Sequence, residues 1–286
     1  MNNPSERAQA NADGHTVDGF GAEWQRFDQS ELDDAESRRI FAEYFSLMPL
    51  ASLPAGAVGM DVGCGSGRWA KLVAPEVGAL HAVDASNEAL GVARRNLASF
   101  TNVAFHNTSV AALPGEDNSL DFVYSLGVLH HVPDTAAGIQ ACVNKLKPGA
   151  PFLVYLYYSL DNRPAWFRTI WKASDAVRRK VSSLDVGPRT RVAEVIAATV
   201  YWPLARLSLL VEKLGVNPSL IPLSAYRTHS YYTLRTDALD RFGTNLEQRF
   251  SRAQIDTMLR NAGLENIRFR EESAFWCATG TKIAAS

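Results

Sequence analysis

Five short apolar, β-branched runs, AVGMDV, ALHAVD, NVAFHN, SLDFVYSL and APFLVYLYY, recur between residues 55 and 158 with helical stretches between them. Strands separated by helices pair in parallel, because each crossover returns the chain to the same end of the sheet. The pattern predicts an α/β fold with a doubly wound parallel sheet and right-handed crossovers. At 286 residues, 47% hydrophobic and 21% charged, the chain can bury one large core with a sub-domain beside it.

The remaining sequence frames this core of residues 51–158. Residues 1–50, with ten Asp/Glu against four Arg, read as an N-terminal tail and lid helix. Their start, MNNPSERAQANADGH, is expected to be disordered and lacks the basic-then-apolar order of a signal peptide. A helical pattern runs from about Glu31 to Met48. Residues 159–250 break the strand rhythm and read as a helical cap insertion. It contains WFRTIWKASDAVRRKV, then RTRVAEVIAATVYWPLARLSLLVEKLG, then a polar aromatic segment around THSYY whose plain reading is a surface loop. Residues 251–286 complete the core with a helix ended by Gly263 and a pair of strands.

Composition narrows the function. A formal net charge of −1 exerts no overall pull on nucleic acid. Cys64, Cys142 and Cys277 are widely separated and odd in number, so neither a disulfide framework nor a metal site is expected, and a reducing cytoplasm is.

The stretch MDVGCGSGRWA, residues 60–70, carries most of the chemistry. Gly63, Gly65 and Gly67 follow directly on a predicted strand end, and a helix is expected from near Arg68. Glycine there permits a tight turn and close approach of a ligand, and a helix N-terminus favours an anionic group. A dinucleotide fingerprint needs a third glycine at 68, where Arg68 stands, which argues against a nicotinamide cofactor.

The spacing D-x-G-C-G-x-G resembles the first motif of the class I S-adenosylmethionine-dependent methyltransferases. HAVDAS supports the resemblance by ending the next run in Asp84, 17 residues after Gly67. LDFVYSLGVLHHVPD and NKLKPGA are similar to the signatures around the fourth and fifth strands of the ubiquinone- and menaquinone-type, small-molecule branch. The likeness covers roughly residues 55–158, with a weaker echo over 250–283. It implies a Rossmann-like sheet with an antiparallel last strand, S-adenosyl-L-methionine as cofactor and S-adenosyl-L-homocysteine as product. By the same resemblance Asp61, Gly63, Cys64, Gly65 and Gly67 hold the methionine moiety, Asp84 and Ala85 the ribose, Ser109 and Val110 the adenine, and Leu126 and Gly127 the opposite side. Ser109 departs from the family, which often has an aspartate there, and a capping serine is the alternative. Within FGAEWQRF, Trp24 and Arg26 resemble an aromatic segment that closes over the cofactor, with Arg26 near its carboxylate; a lid helix packed on the core is the plainer reading.

Methyl transfer is an in-line displacement, so the protein supplies alignment, exclusion of water and at most a base. His130 and His131 after the fourth run are candidate bases, with a structural histidine as the alternative. Tyr155 and Tyr157 alternate onto one face as candidate acceptor walls. His229, Tyr231 and Tyr232 in THSYY are further acceptor-site candidates. Residues 161–227 hold eleven Lys/Arg against five Asp/Glu. Glu194, Pro203, Arg206 and Glu212 interrupt their longest apolar pattern, which argues against a membrane span and leaves either a roof for a bulky apolar acceptor or a peripheral bilayer contact. The function expected is methylation of a small molecule on O, N or C; the alternatives are a non-catalytic cofactor-binding scaffold and, less favoured, a nicotinamide oxidoreductase. A nucleic-acid methyltransferase is disfavoured by SLGVLHHV standing where an N/D-P-P-Y motif would be.

Overall fold

A computed structural model describes residues 10–161, 163–270 and 276–284. Five parallel strands occupy the predicted runs: β1 (Val58–Val62), β2 (Ala79–Asp84), β3 (Val103–Asn107), β4 (Phe122–Leu126) and β5 (Pro151–Leu156). With β6 (Leu264–Phe269) and β7 (Trp276–Lys282) they form a seven-stranded sheet in the order β3-β2-β1-β4-β5-β7-β6. β7 inserts antiparallel between β5 and β6. The result is a mostly parallel Rossmann-like sheet closed by an antiparallel strand. β4 is buried along its whole length, as a strand covered by helices on both faces must be.

The strand order reverses between β1 and β4, so the crevice beyond their carboxyl ends is the place where an open α/β sheet accepts a ligand. Packing brings these two strands close. The Phe122 ring occupies the space a side chain at Gly59 would fill, and it belongs to a core with Met48, Leu80, Leu90 and Tyr124.

By internal packing the chain forms two compact units, one of Met1–Asp28, Arg38–Ser159 and Leu246–Ser286, the other of Gln29–Ser37 and Leu160–Asn245. In the first unit, α1 (Gly14–Arg26) is capped by Asp13, whose carboxylate accepts from the Thr16 amide at 2.9 Å. The Asn11 side chain exchanges two hydrogen bonds with the Asp134 backbone. The expected disorder of the N-terminus is thus corrected for residues 11–15; residues 1–9 lie outside the described residues. The predicted acidic helix is α2 (Asp34–Phe45). The helix after the glycine turn, α3, is only Ala70–Val73, because Pro75 follows and the chain tightens into a 3₁₀ turn. It begins two residues after Arg68 and, at four residues, is too short to present the helix N-terminus expected for an anionic group. α4 (Asn87–Asn96) and α5 (Thr135–Lys145) follow β2 and β4, capped by Ser86 and Asp134. In the closing segment the last helix (Arg252–Asn261) opens with a capping box between Ser251 and Gln254.

The second unit is helical. α6 (Ala165–Ser182) precedes α7 (Val186–Ile196), which continues through one π turn at Ala197–Tyr201 into α8 (Trp202–Lys213). THSYY is a turn only as far as Ser230, and the expected loop gives way there to a helix. Ser230 caps a helix, α9 (Tyr231–Gly243), and the Glu36 carboxylate accepts from the Ser230 amide and the Thr233 hydroxyl, both at 2.9 Å. Small residues at Ala197, Ala205 and Ala238 let these helices approach closely around Tyr201, Leu234 and Phe242. The last helix of the chain, following α9, is α10 (Arg252–Asn261).

Candidate active site

The chain leaves β1 at Val62, and the amides of Gly63 and Cys64 both bond the Val83 carbonyl of β2, at 2.8 and 2.9 Å. The turn then coils with left-handed backbone at Gly63, Gly65 and Gly67. At Gly65, with φ of 54°, a side chain would be strained, and its Cβ would lie 2.8 Å from the Trp24 indole nitrogen. Trp24 of α1 therefore lies directly over the turn. Cys64 is buried, and burial pushes its thiol well above the ordinary range, so it serves as packing and not as a nucleophile.

Two carboxylates flank this turn. Asp84, ending β2, accepts from the Gly65 amide with one oxygen and the Ser86 amide with the other, both at 2.8 Å. Burial raises its pKa, and the two amide bonds offset part of that rise. Each oxygen retains a further lone pair that can accept a hydroxyl. Asp61 in β1 is buried and accepts from the Tyr124 hydroxyl at 2.9 Å. Burial lifts its pKa to about 8, the Tyr124 bond opposes this, and the charge of Asp84 adds to it.

Around the rest of the crevice the predicted residues have different standing. Val110 and Leu126 are buried, and Ala85 lies next to Asp84, its carbonyl accepting from the Asn107 side chain at 3.0 Å. Gly127 has φ of 80°, and a Cβ there would meet only the Tyr155 ring at 3.9 Å, so this edge is open. Ser109 donates its hydroxyl proton to the Ala10 carbonyl at 2.6 Å and caps the following 3₁₀ turn by accepting from Ala111. Its side chain is engaged in the turn as the capping alternative has it, with one oxygen lone pair left over. Arg26 is exposed at the end of α1, with its guanidinium 5.8 Å from the Phe27 ring.

At the carboxyl ends of β4 and β5 stand His130, His131, Tyr155 and Tyr157. The His131 Nδ1 donates to the Leu246 carbonyl at 2.7 Å, which fixes its tautomer, and its ring meets Phe20 edge-on at 5.0 Å. His130 is fully buried, its ring stacked on that of Tyr157 at 3.8 Å and tilted against that of His131 at 4.0 Å, and neither of its ring nitrogens has a hydrogen-bond partner among the described residues. Burial holds its pKa well below the usual imidazole range, and the charges of His131 and Arg249 add to this. A buried polar group without a partner costs about 1–3 kcal/mol. A fold that retains one at the ligand crevice marks His130, a neutral imidazole, as a candidate functional position.

Sequence reasoning missed the strap that holds this pair. The Gln248 amide donates to the His130 carbonyl at 2.9 Å, its side chain donates to Val132 at 2.6 Å, and the Phe250 amide donates to Tyr157 at 2.9 Å. No local motif marks residues 246–250, since the bonds that tie them to His130, His131, Val132 and Tyr157 are made across more than 90 residues of chain. It missed Tyr124 and Tyr44 as well. Strand alternation signals the first as an inward residue, and the Tyr44 ring lies 5.3 Å from that of Tyr155.

His229, Tyr231 and Tyr232 belong to the second unit. The His229 carbonyl accepts from Arg206 at 2.6 Å and its ring meets Tyr226 edge-on. Tyr231 lies edge-on to Trp202, and the Tyr232 hydroxyl accepts from the Gln29 amide at 2.9 Å. These side chains build the helical unit itself.

Residues 60–149 match a protein family described as a methyltransferase domain. The ubiquinone biosynthesis O-methyltransferase of Xanthomonas axonopodis pv. citri (strain 306) is 38% identical over 116 residues, 40% of this chain and 47% of that protein. Phosphoethanolamine N-methyltransferase 2 of Caenorhabditis elegans is 33% identical over 105 residues, 36% of this chain and 24% of that protein. The chain spans less than half the length of the curated relatives it matches. In fold it is similar to an O-methyltransferase family protein from Burkholderia thailandensis, at 14% identity and a TM-score of 0.55, covering 99% of this chain and 68% of that one. The matched core is a methyltransferase domain, for which the sequence resemblance implies S-adenosyl-L-methionine as the methyl donor. The residues present suit that cofactor: a glycine turn without side chains, acceptor oxygens on Asp84, and an open edge at Gly127.

Proposed function

We propose that the protein transfers a methyl group from S-adenosyl-L-methionine to a small, bulky and largely apolar acceptor in the cytoplasm. The reading rests on one observation above others: the Gly65 amide and the Asp84 carboxylate meet at 2.8 Å at the carboxyl edge of β1 and β2, beside a glycine turn and at the point where strand order reverses. When bound, the cofactor supplies the electrophilic methyl group. Asp84 would accept the ribose hydroxyls, Asp61 and the turn from Gly63 to Gly67 would face the methionine moiety, and Val110, Leu126 and Gly127 would border the rest. Trp24 covers the turn and excludes water. His130 accepts the proton of the acceptor at a ring nitrogen, Tyr155 and Tyr157 wall the acceptor, and His131 with the 246–250 strap positions His130. The apolar helices of residues 160–245 make a peripheral membrane contact.

Calorimetric titration with S-adenosyl-L-homocysteine and with NAD tests the cofactor half. Asp84→Ala should weaken S-adenosyl-L-homocysteine binding by about 1.5–3 kcal/mol, the worth of hydrogen bonds to a charged group, or roughly 10- to 150-fold. Wild-type affinity in a folded Asp84→Ala protein, or binding of NAD in place of S-adenosyl-L-homocysteine, would overturn the assignment. His130→Gln separates the roles of the second half: turnover should fall by roughly 10²–10⁴, the share of a general base, with cofactor affinity within a few-fold of wild type. A large loss of cofactor affinity would instead make His130 part of the cofactor site or the fold.

A further inference from the structure

Among the described residues, the large apolar side chains left exposed are gathered in the second unit; all of them except Ile283 lie between Trp166 and Tyr231. They are not scattered. On α6, Trp166, Ile170 and Val177 fall within about 40° of one line along the helix, and Leu207 and Leu210 on α8, with Leu214 at its C-terminal cap, fall within about 60°, at ~100° per residue. Each of the six is between 47% and 72% exposed. Val186–Lys213 is one continuous helix of 28 residues, long and apolar enough to cross a membrane, yet only 22% of its most apolar stretch is buried. Apolar surface of this extent on a folded protein marks a contact with something else.

The charge identifies what that is. Arg168, Lys172 and Lys180 on α6, Arg191 on α7 and Lys213 on α8 are exposed and engage no acidic side chain among the described residues. The acidic residues of the same helices are consumed internally: Asp175 by Arg178 at 2.7 Å, Glu194 by Arg235 and Glu212 by Arg227, both at 2.8 Å. At ~100° per residue Lys180 falls about 40° from the edge of the α6 stripe and Lys213 about 60° from the edge of the α8 stripe, whereas Arg168 and Lys172 lie on the opposite face of α6. Apolar stripes each edged by an unpaired cation, with indoles at Trp166 and Trp202, are the composition of helices lying in the interface of an anionic membrane. A span is disfavoured by packing. Ala197, Tyr201 and Ala205 are buried against Leu234, Ala238 and Phe242, and Arg189 and Arg206 are held inside the unit by the carbonyls of Gly243 and His229.

We propose that the helical unit docks on an anionic lipid bilayer through the exposed stripes of α6 and α8, lying in the interface without crossing it. This deepens the membrane contact of the proposed function and does not depend on the methyl transfer. Flotation of the full chain with phosphatidylcholine vesicles, with and without phosphatidylglycerol, tests it. The protein should float with the anionic vesicles at low salt, bind pure phosphatidylcholine at least about ten-fold more weakly, and be released by high salt. Leu207→Glu with Leu210→Glu should abolish flotation, and Lys180→Glu with Lys213→Glu should weaken it about ten-fold, each with unchanged melting temperature and S-adenosyl-L-homocysteine affinity. In the wild type, brominated lipids should quench tryptophan fluorescence, a readout that requires no variant. Absence of flotation with anionic vesicles, equal binding to both lipids, or a stable dimer that Leu207→Glu dissociates would overturn the proposal. Flotation by a protein that fails to bind S-adenosyl-L-homocysteine would leave it standing and remove only the methyltransferase reading.

Discussion

Gly65→Val is expected to abolish binding of S-adenosyl-L-homocysteine, by more than about 100-fold, the largest loss of any single change at the site. Two effects combine. A β-branched residue at φ of 54° strains the backbone by about 1–3 kcal/mol, and its Cβ claims space within 3 Å of the Trp24 indole. Either the turn shifts, and Asp84 loses the Gly65 amide, or Trp24 is driven off. Trp24→Gly in the Gly65→Ala background separates these effects, because it restores the space and leaves the strain. Partial recovery of affinity assigns the loss to crowding; none assigns it to the backbone. Tight binding by a folded Gly65→Val protein would sink the assignment of the glycine turn to the cofactor.

The second large effect is a pH dependence carried by Asp61. Its pKa in the fold is about 8, against about 4 for an ordinary aspartate, because burial disfavours the charge. An acid whose pKa is raised binds its proton more tightly folded than unfolded. Its contribution to stability is therefore complete below about pH 4 and is lost as pH rises towards 8. The slope approaches about 1.4 kcal/mol per pH unit within that window. Asp61→Asn keeps an acceptor for Tyr124 and removes the titration. Between pH 6 and pH 8 the wild-type protein without cofactor should lose about 2 kcal/mol relative to the variant, read as a steeper fall in melting temperature. Parallel curves for the two proteins would show that Asp61 is not held protonated. The carboxylate that costs stability is the one placed to meet a cationic ligand, so Asp61→Asn should gain stability at alkaline pH and lose cofactor affinity together.

Much of this was legible from local pattern. The five runs became β1 to β5 because β-branched, apolar residues between helices can only be satisfied in a sheet covered on both faces. Asp84 was legible because the end of a strand, a glycine turn and an acid are adjacent in chain as well as in space. The failures have physical causes too. α3 stops after one turn because Pro75 lacks the amide the helix needs. THSYY folds as a helix start because Ser230 finds Glu36, 194 residues away. Ser109 donates to the carbonyl of Ala10, 99 residues away, a partner no local motif reveals.

By itself, the sequence determined the order of strands and helices, the glycine turn and the acids that flank it, since backbone sterics and the period of apolar residues act over a few neighbours. Only the tertiary structure decided which of two adjacent histidines is held by a carbonyl and which has no hydrogen-bond partner among the described residues, why Asp61 carries a raised pKa, and which apolar helix faces remain uncovered. Those properties depend on burial and on partners far along the chain, and folding alone brings them together.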